Sequence, residues 1–361
     1  MTILHIVPDD ALGGGAVIVA RLLEVAEAAA PERQVAVLPE NAEPRLRALF
    51  APLPHRFGRF RGRGPLLGMA RAILEAAGEG DVVHAHGTRA ALAAALAALA
   101  RPRLAIVYTV HGFHGLAKPD PLGWRLGAER LLARRVQATA FVSASDRALA
   151  EARGLRYRGP ARVIENGLPG PPTAPEGARD VDLLFVGRLV HQKWPEAFVE
   201  TVAQVPGAPR VTMVGAGELA ERVDALAADR RLPRFERLDG LDHPRVLELM
   251  GRTRVLVMTS RWEGLPTVAI EAMLSGCVPA GFDIPPLREA LGPAADALLT
   301  PPEPAALAAR LGGLLADEPE RRRIAAGLGA SARERYDQRR MAARYGELYA
   351  AARAGAARAA A

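Results

Sequence analysis

At 361 residues, half of them hydrophobic and only 5% aromatic, the chain is long enough for two domains with separate cores. Its one cysteine, Cys277, lies in an apolar stretch, excludes an internal disulfide and suits a reducing compartment, and no Cys/His spacing matches a zinc site. The net charge of +7 is concentrated in residues 1–180, with 23 basic against 17 acidic groups, which suits an anionic partner there.

Met1-Thr2-Ile3-Leu4-His5-Ile6-Val7 is too short and uncharged for a signal peptide and reads as a strand over Ile3–Val7. Gly13-Gly14-Gly15 follows, ahead of a helix predicted over Val17–Ala30. Glycines permit close backbone approach to a ligand, and the helix start offers free amides; a plain flexible loop is the competing reading. After a strand at Val35–Leu38 comes the basic run His55–Gly64, in which Arg56, Arg59, Arg61 and Arg63 alternate with Phe57 and Phe60. It reads either as a solvated loop or as a patch for peripheral contact with anionic membrane lipid through Arg56–Arg63. No helix-turn-helix, finger or RNA-binding signature accompanies it, so nucleic acid is not an expected partner. Leu92–Ala100 is apolar but reaches about half of the roughly twenty residues a bilayer span needs, so a cytoplasmic protein is expected, peripheral at most on the inner membrane face.

Strands predicted at Val82–His84 and Ala105–Thr109 end in Asp81-Val82-Val83-His84-Ala85-His86-Gly87 and Thr109-Val110-His111-Gly112-Phe113-His114. A neutral imidazole at a strand end can bond a ligand hydroxyl or steady a transient charge; a satisfied polar group is the plain alternative. Strands at Ala138–Val142 and Ala161–Ile164 close the first half, and the proline-rich run Leu168–Pro175 reads as a hinge.

The second half repeats the pattern, with strands predicted at Leu183–Phe185, Val211–Val214, Phe235–Leu238, Val255–Met258 and Val278–Gly281. Gly187-Arg188-Leu189-Val190-His191-Gln192-Lys193 follows the first of these, and an arginine and a lysine beyond one strand tip can converge on a diphosphate. Gly215-Ala216-Gly217-Glu218 follows the second. With Ala220 and the acid Asp239 it also fits a dinucleotide fingerprint, so an NAD(P)-dependent dehydrogenase stands as an alternative. Glu263 falls on the loop after Val255–Met258, and Glu271 about a turn into the next helix, with Pro266 suited to that helix's first turn. A carboxylate flanked by the amides of Gly264 and Leu265 can grip a polyhydroxylated ring, accepting from hydroxyls while the amides donate. Beyond Tyr336 a long helical pattern places Met341, Tyr345, Leu348 and Tyr349 on one apolar face.

Strand–helix alternation predicts an α/β architecture of parallel sheets covered on both faces: two Rossmann-like doubly wound domains facing across a cleft. The expected boundaries are 1–170 and 171–336, followed by a C-terminal helix at about 337–361.

The ordered motifs Gly13-Gly14-Gly15, His111-Gly112, Gly187-Arg188-Leu189 with Lys193, Gly215-Ala216-Gly217-Glu218 and Glu263-x7-Glu271 resemble those of retaining glycosyltransferases of family 4 (glycosyl transferases group 1), which have the GT-B fold with a terminal helix crossing back onto the first domain. The resemblance covers essentially the whole chain. It implies a nucleotide-sugar donor, most often a UDP-sugar, bound as co-substrate mainly by the second domain, and a hydroxyl acceptor, lipid-linked or anionic acceptors included, in polysaccharide or glycolipid assembly. Glu263 then holds sugar hydroxyls, Glu271 the ribose, and His111 the donor sugar. Gly14, Gly15, Gly187, Gly215, Gly217, Glu218, Gly264 and Leu265 line the donor. Arg188 and Lys193 stabilise the departing diphosphate in place of a metal, and no cofactor is expected. Asn166-Gly167 matches a structural turn of the family at the close of the first domain, and Ser143 matches a serine of the family's V-S-x-S segment, with its role left open. Two departures stand out. Trp194 occupies a position where the family usually has glycine, and Pro285-Pro286 replaces a Gly-Gly pair, which raises a catalytically inactive sugar-nucleotide-binding homologue as a further alternative.

Overall fold

Apolar runs too continuous for one-sided burial become central parallel strands, because helices cover both faces. A computed structural model describes residues 2–26, 32–62, 64–113, 123–170 and 179–360, divided into two compact units, Met1–Pro169 with Tyr336–Ala361, and Gly170–Arg335.

The first unit's strands are β1 (Thr2–Ile6), β2 (Arg33–Pro39), β3 (His55–Gly58), β4 (Val82–His86), β5 (Ala105–Val110), β6 (Ala138–Phe141) and β7 (Ala161–Val163), in the order β3-β2-β1-β4-β5-β6-β7. The second unit's are β8 (Val181–Val186), β9 (Val211–Val214), β10 (Phe235–Leu238), β11 (Thr253–Met258), β12 (Val278–Phe282) and β13 (Leu299–Thr300), in the order β10-β9-β8-β11-β12-β13. Every registered pair is parallel. Each sheet is thus doubly wound, and its winding direction reverses between two neighbours, β1 and β4 in one and β8 and β11 in the other. Ligands of such sheets bind beyond the C-terminal strand ends at that reversal.

Burial explains the apolar runs. Leu4, Ile6, Val83 and Ile106 pack with the helices Leu66–Ala76 and Thr88–Ala100 on one face, and Val7, Ala36 and Leu38 with the helices Gly14–Glu24 and Pro44–Phe50 on the other. The terminal helix Gln338–Ala360 packs on β5 and buries Met341, Tyr345, Leu348 and Tyr349.

Several expectations need correction. His55–Gly58 is an edge strand, β3, rather than part of a loop, its backbone bonds to β2 outweighing its polar composition. Phe60 is buried in the core, and Phe57 carries the Arg47 guanidinium 4.4 Å over its ring, so only one of the two rings is available to lipid. The two-residue strand β13 carries too little apolar sequence to announce itself. The first helix starts at Gly14, three residues before the predicted Val17. Pro266 caps the helix Thr267–Leu274 rather than opening it, and Pro285-Pro286 starts the helix Pro285–Leu291, where a missing N–H leaves no bond unmade. Ser143 is a helix cap that accepts from the Asp146 amide. Residues 27–30 of the predicted first helix, Arg63, His114 and residues 171–175 of the proline-rich run lie outside the described residues. Among the described residues no helix is long and apolar enough to cross a membrane.

Candidate active site

In the second unit, the loops after β8 and β11, the two strands flanking the reversal, bring Lys193 to Glu263. Lys193 Nζ donates to Glu263 Oε1 at 2.5 Å, with only 17% and 9% of the two side chains exposed. Gln192 Nε2 donates to the Trp262 carbonyl (3.0 Å) and approaches Glu263 Oε2 (3.4 Å). Gly187 lies under the lysine stem, where an added Cβ would meet three of its carbons at 3.5 Å. A carboxylate held this way keeps lone pairs for hydroxyl donors, while the ammonium remains a fixed charge with two further N–H groups.

Glu271, on the helix Thr267–Leu274, pairs with His243 Nε2 at 2.8 Å. His243 begins the next helix back along the chain, His243–Gly251, and no motif spacing pointed to it. Arg188 and Glu218 are both exposed, and neither side chain has an ion-pair partner among the described residues. Gly264 and Leu265 form a buried bend ahead of the helix start.

Gly215 and Gly217 face protein. A Cβ on Gly215 would sit 1.9 Å from the Gly187 carbonyl oxygen, and one on Gly217 would sit 2.4 Å from that of Leu189. Backbone bonds join the two loops: Gly187 N to Val214 O (3.0 Å), Leu189 N to Ala216 O (2.9 Å) and Leu219 N to Leu189 O (3.0 Å). The glycines are therefore used by the approach of the 187–189 loop, and Asp239 is engaged by Arg237. This disfavours the dinucleotide-fingerprint reading.

Trp194 adopts a backbone that favours glycine, in the left-handed region at φ 46° and ψ 58°. That conformation costs a non-glycine residue about 1–2 kcal/mol. Local contacts offset it: the Arg261 guanidinium lies 3.6 Å over the indole, Phe282 packs at 5.6 Å, and Thr259 Oγ1 donates to the carbonyls of Lys193 and Trp194 (3.1 and 3.0 Å). Trp194→Ala and Trp194→Gly lose the same contacts, but only alanine keeps the strain. Trp194→Gly is therefore expected to be the more stable of the two by about 1 kcal/mol, read from denaturant midpoints at equal m. Equal midpoints would mean the turn stores no strain.

An Asp-x-Asp spacing passed over by the metal-free expectation occurs at Asp180-Val181-Asp182. It lies at the opposite, N-terminal end of β8, and its carboxylates pair with Arg252 (2.6 Å), Arg210 (3.2 Å) and Arg254 (2.7 Å). It is not gathered at the Lys193–Glu263 pair.

In the first unit, the glycine loop after β1 meets His111 after β5. The His111 ring carbons lie 3.7–3.9 Å from where a Gly15 Cβ would stand, while Gly13 and Gly14 have open space at that position. His86 Nδ1 is 3.0 Å from His111 Nε2, and His86 Nε2 is 3.2 Å from His5 Nδ1, which the sequence reading missed. A histidine inside the apolar strand Ile3-Leu4-His5-Ile6 was the available signal. His84 is buried between Tyr349 OH (2.9 Å) and Thr109 Oγ1 (2.7 Å) and is structural. Burial pushes His5 and His111 down to about 4 and His84 and His86 well below the usual imidazole value, so all four are neutral at pH 7.

Residues 174–327 match the family described as glycosyl transferases group 1, and residues 12–169 match glycosyltransferase family 4. A 2-deoxystreptamine N-acetyl-D-glucosaminyltransferase from Streptomyces fradiae is 35% identical over 135 residues, 36% of this chain and 32% of that protein. A 2-deoxystreptamine glucosyltransferase from Streptomyces kanamyceticus is 32% identical over 130 residues, 35% of this chain and 34% of that protein. The match thus spans about a third of each curated relative. The Anabaena protein Alr3699/HepE, solved with UDP and glucose, superposes with a TM-score of 0.80 at 20% identity, over 96% of this chain and 98% of that one, and so shares the two-domain GT-B fold. Residues 174–327 therefore belong to the group 1 glycosyltransferases and residues 12–169 to glycosyltransferase family 4.

Proposed function

We propose that this protein moves a hexosyl group from a UDP-sugar to an acceptor hydroxyl, with retention at the anomeric carbon and without a bound metal. The observation that carries the reading is the Lys193–Glu263 pair at the strand-order reversal of the second unit. The bond between the anomeric carbon and the diphosphate oxygen breaks, and its electron pair leaves with UDP. The acceptor oxygen bonds to the anomeric carbon on the face being vacated, and its proton passes to the departing phosphate oxygen. Charge accumulates on the diphosphate, so Lys193, held in place, supplies the main stabilisation, with Arg188 as the exposed second cation. Glu263 accepts from sugar hydroxyls, Glu271 with His243 holds the ribose, and His111 contacts the sugar.

Both curated relatives are named for 2-deoxystreptamine, an aminocyclitol, which favours a small polyhydroxylated acceptor over the polymer or glycolipid expected from the resemblance. A cytoplasmic site of action fits the free, buried Cys277. The test is thermal stabilisation by UDP-, GDP-, ADP- and TDP-sugars, with NAD and NADP alongside. A UDP-sugar at a hundredfold its Kd should add about 2.7 kcal/mol of stability. Stabilisation by a nicotinamide cofactor alone would overturn the transferase reading.

A further inference from the structure

Three imidazoles and one amide form an unbroken chain through the first unit. Gln34 Nε2 donates to the Ala26 carbonyl (3.1 Å), which fixes the other end of the amide as oxygen. Gln34 Oε1 lies 2.9 Å from His5 Nε2, His5 Nδ1 lies 3.2 Å from His86 Nε2, and His86 Nδ1 lies 3.0 Å from His111 Nε2. An amide oxygen only accepts, so His5 Nε2 carries the proton. A neutral imidazole has one N–H and one lone pair, so His5 Nδ1 accepts from His86 Nε2. The same rule makes His86 Nδ1 accept from His111 Nε2, and the lone pair of His111 is left at Nδ1. Among the described residues no group bonds that nitrogen.

We infer that Gln34 is a positioning residue that acts through His5 and His86 to hold His111 as its Nε2–H tautomer, so that His111 offers a ligand a hydrogen-bond acceptor at Nδ1. The catalytic meaning rests on the transferase reading: an acceptor nitrogen takes a hydroxyl of sugar or acceptor and turns away phosphate oxygens, which cannot donate. The chain ends in an amide that cannot take up a proton, so it orients and is not an exit path for protons. A buried cation is the rival explanation, because ring nitrogens of His5, His84 and His86 lie within 4.8 Å of one another. Yet both nitrogens of each ring already face protein partners.

The test is nitrogen NMR on protein labelled with 15N-histidine, without substrate at pH 7, the signals being assigned from single histidine substitutions. His5, His86 and His111 are each expected as the Nε2–H tautomer. A His111 proton on Nδ1, an imidazolium, or metal-shifted nitrogens on His5 and His86 would overturn the inference. In Gln34→Met the chain loses its terminal acceptor, so His111, three rings away, should gain a population with the proton on Nδ1. The kcat/KM for the sugar nucleotide should then fall about tenfold, or about 1.4 kcal/mol. Lower activity with an unchanged His111 tautomer would mark Gln34 as merely structural and defeat the inference. Because the tautomers are read without turnover, the transferase reading can fail by itself, as can this one.

Discussion

Lys193→Ala is expected to lower kcat by about 10²–10³-fold, the usual effect of deleting one preorganised charge-stabilising donor. The expectation follows from what the lysine can do that no neighbour replaces. Its ammonium is positioned by Glu263 at 2.5 Å and its stem lies against Gly187, so in the proposed mechanism it would meet the diphosphate without reorganising. Arg188 is exposed and held by no ion pair among the described residues, and a mobile charge in water is worth far less than a fixed one. The substitution also leaves the Glu263 carboxylate, 9% exposed, with only the long 3.4 Å approach of Gln192 among the described side chains. Part of the measured loss will therefore come from a displaced carboxylate. Glu263→Gln separates the two effects, because the amide keeps an acceptor for sugar hydroxyls but weakens its hold on the lysine. Steady-state transfer from a UDP-sugar, with circular dichroism as the check on folding, decides the matter. A wild-type kcat in Lys193→Ala would remove the lysine from the mechanism.

Central strands were readable because burial on both faces leaves uninterrupted apolar sequence. Val211–Val214 has the bounds that its composition suggested. Edge strands lack that signal. His55–Gly58 is covered on one side only, so its arginine and phenylalanine resemble a loop, and backbone bonds to β2 decide its conformation. The glutamate pair was legible because strand, loop and helix put Glu263 and Glu271 eight residues apart in sequence. Contacts between distant segments were not. Lys193 and Glu263 are 70 residues apart, His5 and His86 81, and Glu271 and His243 28, and no local spacing encodes such meetings. Trp194 shows a different limit. Its side chain argues against the left-handed turn that it adopts, and the contacts of Arg261, Phe282 and Thr259 reveal why that turn is tolerated.

Gly215→Ala should be damaging out of proportion to one methyl group. The new Cβ would stand 1.9 Å from the Gly187 carbonyl oxygen and 3.5 Å from a Leu189 methyl, so the 187–189 loop must move. Moving it breaks the backbone bonds from Gly187 N and Leu189 N to the 214–216 turn. Overpacking of this kind costs about 1–3 kcal/mol, or a fall in Tm of several degrees for a unit of this size. The same loop carries Arg188 and leads into Lys193, so stabilisation by UDP-sugars should vanish along with it. Gly14→Ala supplies the contrast. Nothing lies within 4 Å of the Cβ position there, and Gly14 is the first residue of a helix, so alanine should fold as well as or better than glycine. If donor phosphates approach that backbone, Gly14→Ala keeps its Tm and loses UDP-sugar affinity, whereas Gly215→Ala loses both. Normal affinity in Gly14→Ala would assign the space above the first-unit loop to something other than the donor. The pair therefore separates a glycine kept for the fold from one kept for a ligand.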